Sequence, residues 1–523
     1  MNDQAPAVLD DYDVVVVGTG APGLTGALRA ATRGFRVLVL EKDDVVGGTA
    51  ALTGGGLWAP TNKWLVELGV EDDLEAVQTY LDHTVGDRTP RSKQQAFVHA
   101  AAPTIDWLAT LGIRFTRLHG FPDYAPDQPG GRIDGRAIAP KTVKPDVAAT
   151  IPWPLRQKLP YGDGGPPMPA YDTGGLLFGG RSLIGQLLLA CRDAGVEIWT
   201  STSFTGLLTD SDQVVGVSST KGDIAAPAGV LLAAGGFEHN PAMRAELQLP
   251  FVQEGAWSLG VAGNTGDGIR AGLALGAASD LLEDSWWTPA FQRPDGPSFL
   301  LWERTAPLGF VVDQTGTRWG NEGIAYNEYG QQMRLDEARL PSYQVFDARA
   351  LSRYGFAGLQ PGQDPTPWVD AGCLRRADTI DGLGIANLAD TTARWNAAAA
   401  AGVDEEFGRG AEGSFERQLL SVFLGYGGLA PTSHEFPNPS LAPVDEAPFY
   451  AAPVVLGDLG TKGGLLTDEH GRVVRADGSA IVGLYAAGNT AASVMGHTYP
   501  GPGSCITPGM AFARLAADVM EKT

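Results

Sequence analysis

Cysteine is scarce in this chain: Cys191, Cys373 and Cys505 are scattered with no C-x-x-C spacing. That excludes a disulfide framework, an iron–sulfur cluster or a zinc site as the organising feature; no metal is expected, and a reducing compartment is implied. Positive charge is scarce too. Against 60 acidic residues stand 38 Lys and Arg, a formal charge of -22, whereas nucleic acid as a partner calls for clustered basic side chains. No apolar run reaches about 18 residues, so no stable membrane insertion is expected. Residues 1–11 are acidic, unlike the basic start of a secretory signal, and the expectation is a cytoplasmic protein. Glycine (70) and proline (36) together stay below the roughly 25–30% that marks low-complexity chains, and no internal repeat is evident. What is plentiful is apolar surface: 44% hydrophobic residues over 523 positions suffice for a large core and two domains.

Residues 11–42 read DYDVVVVGTGAPGLTGALRAATRGFRVLVLEK. The run Val14–Val17 suits a strand buried on both faces. Gly18, Gly20 and Gly23 then give G-x-G-x-x-G: the first allows the turn, the second lets backbone approach a pyrophosphate, and the third lets helix meet sheet. Amides opening the next helix would point at the phosphates. Residues 36–40 make the following strand, which ends in Glu41 and Lys42. A carboxylate there accepts hydrogen bonds from ribose hydroxyls and disfavours a 2′-phosphate. Alone, the glycine motif is a weak signal in a chain with 70 glycines; the strand, helix and terminal acid around it give it weight. A second glycine cluster follows, with Gly47, Gly48, Thr49 and Ala50, then Gly54, Gly55 and Gly56. It reads either as backbone running along an extended flavin or as a flexible loop.

Helical spacing of apolar residues fills 65–111, and 119–131 is a Pro- and Gly-rich loop holding Tyr124. Residues 140–180, with Trp153 and Tyr161, read as an irregular flap over a pocket or as a surface excursion. A helix over 183–194, a strand over 196–200 and a small antiparallel insertion at 214–226 precede GVLLAAGG at 229–236, a strand running into Ala234 and Gly235. At 264–268 NTGDG caps a helix, with Asp267 near its start. From 284 the texture changes, with Trp286 and Trp287 and a strand at 309–313; from 449 glycine-rich strands return, GLYAAG leads into Gly488 and Asn489, and a last helix runs over 508–520.

Several motifs in one order give the chain a family likeness: GTGAPG at 18–23, GGTAALTGGGLW at 47–58, DYAPDQPGG at 123–131, GGRSLIG at 179–185, GDGIRAG at 266–272, GNEGIAY at 320–326, GDLGTKGG at 457–464 and GLYAAGNTAASVMGHTYPGPGSCITPGMAF at 483–512. Together they resemble the FAD-dependent 3-ketosteroid 1-dehydrogenases, relatives of fumarate reductase flavoproteins. The resemblance implies an α/β fold: a discontinuous Rossmann-like FAD-binding domain in 1–283 and 449–523, around an inserted α+β catalytic domain in 284–448. It implies FAD, held by the glycine clusters with Glu41, Lys42, Thr49, Ala50, Ala234, Gly235, Gly488 and Asn489. It also implies dehydrogenation of a cyclic ketone, with an electron acceptor that the sequence does not identify. By motif position Tyr326 resembles the family's base, Tyr124 the tyrosine supporting it, and Tyr499 with the Gly503 amide the pair holding the ketone oxygen. Two donors aimed at an oxygen that becomes enolate-like ease deprotonation beside it. A helix start at Gly503 would add partial positive charge.

Alternatives remain open at this point. Most of the 13 tyrosines should be packing residues, and Tyr329 rivals Tyr326. His497 reads as structural, and Lys462 and Glu322 as surface or supporting groups. The 140–180 segment departs from steroid-active relatives, so the same chemistry on a smaller alicyclic ketone is the second reading; were it a carboxylate, Arg132, Arg136 or Arg156 would be the clamp. Fumarate-reductase-like alkene reduction calls for Arg and His in the middle domain, where His434 is the only histidine. A non-catalytic flavin-holding electron carrier comes last.

Overall fold

A computed structural model of the chain describes residues 9–156, 175–248, 257–294, 296–299, 303–427 and 435–522. Residues 157–174 of the expected flap, Tyr161 among them, and His434 lie outside the described residues.

Two sheets organise the chain. The first has six strands in the order Arg472–Val474, Ala480–Ala486, Gly229–Leu232, Val14–Val17, Val37–Leu40, Glu197–Trp199. All neighbours are parallel except the first pair. Alternation along Val14–Val17 serves two cores at once. Val14 and Val16 pack among Leu24, Leu183, Leu187 and Met510, from the helices Ala21–Thr32, Gly179–Asp193 and Thr507–Val519. Val15 and Val17 face Phe204, Val217 and Ile224 of a three-stranded meander, and Ile269 of the helix Asp267–Ala274. Burial on both faces is why the run is uniformly apolar.

The second sheet is antiparallel, in the order Gly296–Phe299, Ser285–Arg293, Phe449–Thr461, Ser342–Asp347, Gly309–Val312, and Arg375–Ala377 also pairs with Phe449–Thr461. From the sequence, 449–523 is expected to belong with the FAD-binding part. Within it, Phe449–Thr461 pairs at the centre of the second sheet, and pairing in the first sheet resumes at Arg472–Val474. An apolar strand reads alike in either sheet, and only its partners decide.

Smaller expectations hold locally. The apolar stretch 65–111 forms helices Lys63–Glu67, Leu74–Thr84 and Arg91–Thr110, and the last helix is Thr507–Val519. Among the described residues no helix is long and apolar enough to cross a membrane.

Candidate active site

Where the carboxyl ends of the parallel strands meet the second sheet lies a cavity of about 480 Å³. Val17, Leu40 and Ala233 bring the first sheet to its wall, and Trp286, Phe299 and Leu459 the second. One wall is largely bare backbone: Gly18, Gly20, Gly48, Gly55, Gly56, Gly235 and Gly488 all line it, with Thr49, Ala50, Ala234 and Asn489. Gly18 has φ +103° and a Cβ there would meet Ala233 O at 2.4 Å, so the turn admits no side chain. Gly20 caps the helix Ala21–Thr32 without a side-chain bond and lines the cavity with Pro22, so the helix N-terminus opens on it. Gly23 does not line the cavity; a Cβ on it would fall 2.0 Å from Gly18 O, so it is the close contact of helix and turn.

Charge gathers at this end. Glu41 is buried and accepts from the Thr19 amide at 3.2 Å and the Asp43 amide at 3.1 Å. Burial raises its pKa against the pull of those donors. Lys42 Nζ donates to Asp267 Oδ2 at 2.8 Å and Thr265 Oγ1 at 2.9 Å, tying the strand end to the helix Asp267–Ala274. Thr49 Oγ1 accepts from Val261 N and Asn264 Nδ2, both at 3.1 Å, and Asn489 Oδ1 accepts from Trp286 Nε1 at 3.1 Å. Side-chain-free backbone, a helix N-terminus and a buried acid at a strand end fit an extended dinucleotide such as FAD.

At the other end three tyrosines from three segments converge. Tyr124 Oη donates to Tyr326 Oη at 3.4 Å, with ring centroids 5.4 Å apart. Tyr499 stacks on Tyr124 at 5.1 Å and meets Tyr326 edge-on at 5.4 Å. Tyr326 opens the helix Tyr326–Met333. The Tyr124 loop is pinned from behind: its amide donates to Pro500 O at 2.8 Å, the same oxygen that accepts Tyr80 Oη at 2.6 Å. Phe299 closes on Tyr326 at 5.0 Å and Trp286 on Tyr499 at 5.0 Å. Burial pushes all three phenols well above their ordinary pKa. Gly503 shares the cavity wall, with φ +90° and its Cα packed on Gly56, whose carbonyl oxygen a Cβ would meet at 2.1 Å. It lies before the helix Thr507–Val519, not at its first turn, and accepts the Thr507 amide at 3.0 Å.

Other groups named from the sequence fall elsewhere. Tyr329 packs in the core of the second sheet, stacked on Trp319 at 4.3 Å. Lys462 and Glu322 are not surface groups: both are fully buried, Glu322 between Arg318 at 2.9 Å and Arg409 at 3.0 Å. His497 accepts from Arg88 Nε at 2.9 Å and pairs with Asp284 at 2.8 Å, outside the cavity wall. Arg136 is committed to Asp72 and Asp123, Arg132 to Asp72 and the Glu71 carbonyl, Arg156 to Asp43. The described parts of 140–180 do not line the cavity. Sequence reading missed Cys505, which lines the wall 3.0 Å from Tyr499 Oη and whose thiol burial pushes up to about 11. It also treated Trp286 as mere texture; a Trp pair opening a strand was the one available signal.

A family model described as FAD binding domain matches residues 13–506. A 3-oxosteroid 1-dehydrogenase of Mycobacterium tuberculosis is 40% identical over 97% of this chain and 98% of its own. A 4-oxocyclohexanecarboxylate 2-dehydrogenase of Sinomonas cyclohexanicum is 32% identical over 97% and 92%. The crystal structure of 3-ketosteroid delta1-dehydrogenase from Sterolibacterium denitrificans in complex with 1,4-androstadiene-3,17-dione superimposes with a TM-score of 0.89 at 30% identity, covering 97% of this chain and 99% of that one. Near-complete coverage of both chains, together with the cradle and the tyrosine cluster, places the protein in the FAD-dependent 3-oxosteroid 1-dehydrogenase family of FAD-binding flavoproteins, with FAD as its cofactor.

Proposed function

We propose that this protein removes two hydrogens from adjacent ring carbons beside the ketone of a 3-ketosteroid, introducing a 1,2 double bond. The observation that carries this reading is the convergence of Tyr124, Tyr326 and Tyr499 in one apolar end of the cavity. Tyr499 Oη and the Gly503 amide hold the ketone oxygen and take up the charge it gains as the neighbouring carbon loses its proton, a kind of stabilisation worth about 10²–10³ in rate per donor. Tyr326, as its phenolate, takes that proton and becomes the neutral phenol. Tyr124 Oη donates to Tyr326 Oη and so stabilises it as a base. Glu41 and the backbone of the glycine wall would hold FAD, which would supply the hydride acceptor. Burial favours the neutral phenol at Tyr326, so the rate of this step should climb with pH.

The reading also assigns the fold its parts: the parallel sheet is a Rossmann-like FAD-binding module, and the antiparallel sheet belongs to a catalytic domain inserted into it. A steroid is preferred over a small oxocyclohexanecarboxylate for a specific reason. Among the described residues lining the cavity the only cation is Lys42, which Asp267 already holds at 2.8 Å. The arginines that could clamp a carboxylate are paired with aspartates instead. Anaerobic bleaching of the flavin tests the reading. A 3-ketosteroid is expected to bleach it and 4-oxocyclohexanecarboxylate to leave it oxidised; the reverse order would transfer the assignment to the small ketone.

A further inference from the structure

Lys462 has no exposed surface, yet it is a cation. Burial lowers its pKa, and taking an ammonium out of water costs several kcal/mol unless its bonds compensate. Those bonds reach the two segments that carry the reacting phenols. Nζ donates to Asn327 Oδ1 at 3.1 Å and to Thr498 O at 3.1 Å. Asn327 follows Tyr326 in the chain, and Thr498 precedes Tyr499. The same ammonium lies 4.4 Å from the centre of the Trp286 ring, whose edge-on contact with Tyr499 is 5.0 Å and whose Nε1 is held by Asn489.

Asp284 attracts this lysine, but it is not what the hydrogen bonds of Nζ reach. Asp284 Oδ2 is 3.9 Å from Nζ, and the carboxylate is already served by His497 at 2.8 Å, the Trp287 indole at 2.6 Å, Gln331 at 2.9 Å and Arg334 at 3.2 Å. Tyr326 and Tyr499 themselves meet through an edge-on ring contact at 5.4 Å and through their hydroxyls, and Glu328, two residues past Tyr326, accepts the Tyr499 amide. Ring contacts resist separation but tolerate sliding, whereas hydrogen bonds from a charged donor fix direction.

We propose that Lys462 is a positioning residue: by bridging Asn327 and Thr498 it sets the separation of the Tyr326 and Tyr499 hydroxyls. This rests on the roles given to those tyrosines above. A ketone gripped by Tyr499 then presents its α-carbon at a fixed distance from Tyr326, and loosening the bridge misplaces the base without removing any group that touches substrate.

The test uses the full-length, FAD-loaded protein and three variants. Lys462→Met should retain flavin and lower the rate of flavin reduction at saturating 3-ketosteroid by about 100-fold, the loss expected of a misplacement near 1 Å. KM and the affinity for the dienone product, read as a shift of the flavin absorbance, should stay within about threefold, because the contacts to the ketone remain. Asn327→Leu cuts only the Tyr326 side and should cost about 10-fold, while Asn327→Asp, which keeps the acceptor, should stay near the wild-type rate. If Lys462→Met does not fold, the Asn327 pair decides alone. Wild-type rates in Lys462→Met or Asn327→Leu overturn the proposal, and so does a parallel fall in rate, product affinity and flavin content, which marks general loosening. A wild-type protein that neither binds the dienone nor is reduced by the steroid overturns the proposed function as well.

Discussion

Two hydroxyls three residues apart on one helix should answer mutation in opposite ways. Tyr326→Phe removes an oxygen whose hydrogen bond, 3.4 Å from Tyr124 Oη, is long. The stability lost is at most the net value of one such bond, about 0.5–1.5 kcal/mol. Its aromatic contacts with Phe299 at 5.0 Å and Tyr499 at 5.4 Å survive the change. The rate should suffer far more: a positioned base contributes about 10²–10⁴-fold, or roughly 2.7–5.4 kcal/mol of barrier. Tyr329→Phe reverses the pattern. The Tyr329 hydroxyl is buried with no hydrogen-bond partner among the described residues. An unmade bond of that kind costs about 1–3 kcal/mol. Its ring keeps its stacking on Trp319 at 4.3 Å and the Arg304 guanidinium at 5.0 Å. The phenylalanine variant should therefore be at least as stable as the wild type and equally active. The assay is anaerobic stopped-flow reduction of the bound flavin by a 3-ketosteroid, paired with urea melts. Reduction of Tyr326→Phe at a rate within about tenfold of wild type would refute its role as base; a Tyr329→Phe variant that is slow while Tyr326→Phe is fast would show that the two positions had been exchanged.

Glu41→Gln keeps the size of a buried side chain but gives up the charge that accepts from the Thr19 and Asp43 amides. Losing a charged hydrogen bond to ribose, about 1.5–3 kcal/mol, should weaken FAD by about 10–100-fold; flavin content undiminished after dialysis counts against the ribose contact. Gly503→Ala puts a Cβ 2.1 Å from Gly56 O at φ +90°. Backbone strain of about 1–3 kcal/mol, with a displaced cavity wall, should lower both Tm and kcat, and a variant matching wild type in both would show that the wall yields. Alkaline stability should fall in a set way. Burial raises the phenols of Tyr80, Tyr124, Tyr326, Tyr329 and Tyr499 well above the ordinary value in the folded protein. The unfolded chain ionises near pH 10, so it binds fewer protons above that point. Stability is then intact below about pH 10 and drops above it by about 1.4 kcal/mol per pH unit for each tyrosine. A urea midpoint that stays level from about pH 9 to 11 would contradict this linkage.

The sequence by itself determined what is local. Strand Val14–Val17, the glycine turn, helix Ala21–Thr32 and the acid at Glu41 follow from side-chain period and from backbone positions where a Cβ cannot sit, and such constraints act within a few residues. The tyrosines were different, since nothing in composition or spacing distinguishes Tyr326 from Tyr329, and motif resemblance alone singled out the former. Only the tertiary structure decided which of them meets Tyr124 and Tyr499, because that depends on segments some 200 positions apart meeting across two sheets. It likewise decided that Phe449–Thr461 joins the second sheet, that Arg136 is committed to Asp72 and Asp123, and that Lys462 is a buried bridge and not a surface charge. Pairing partners and burial are properties of the neighbours a residue acquires on folding, and a neighbour distant in the chain leaves no mark on the local pattern.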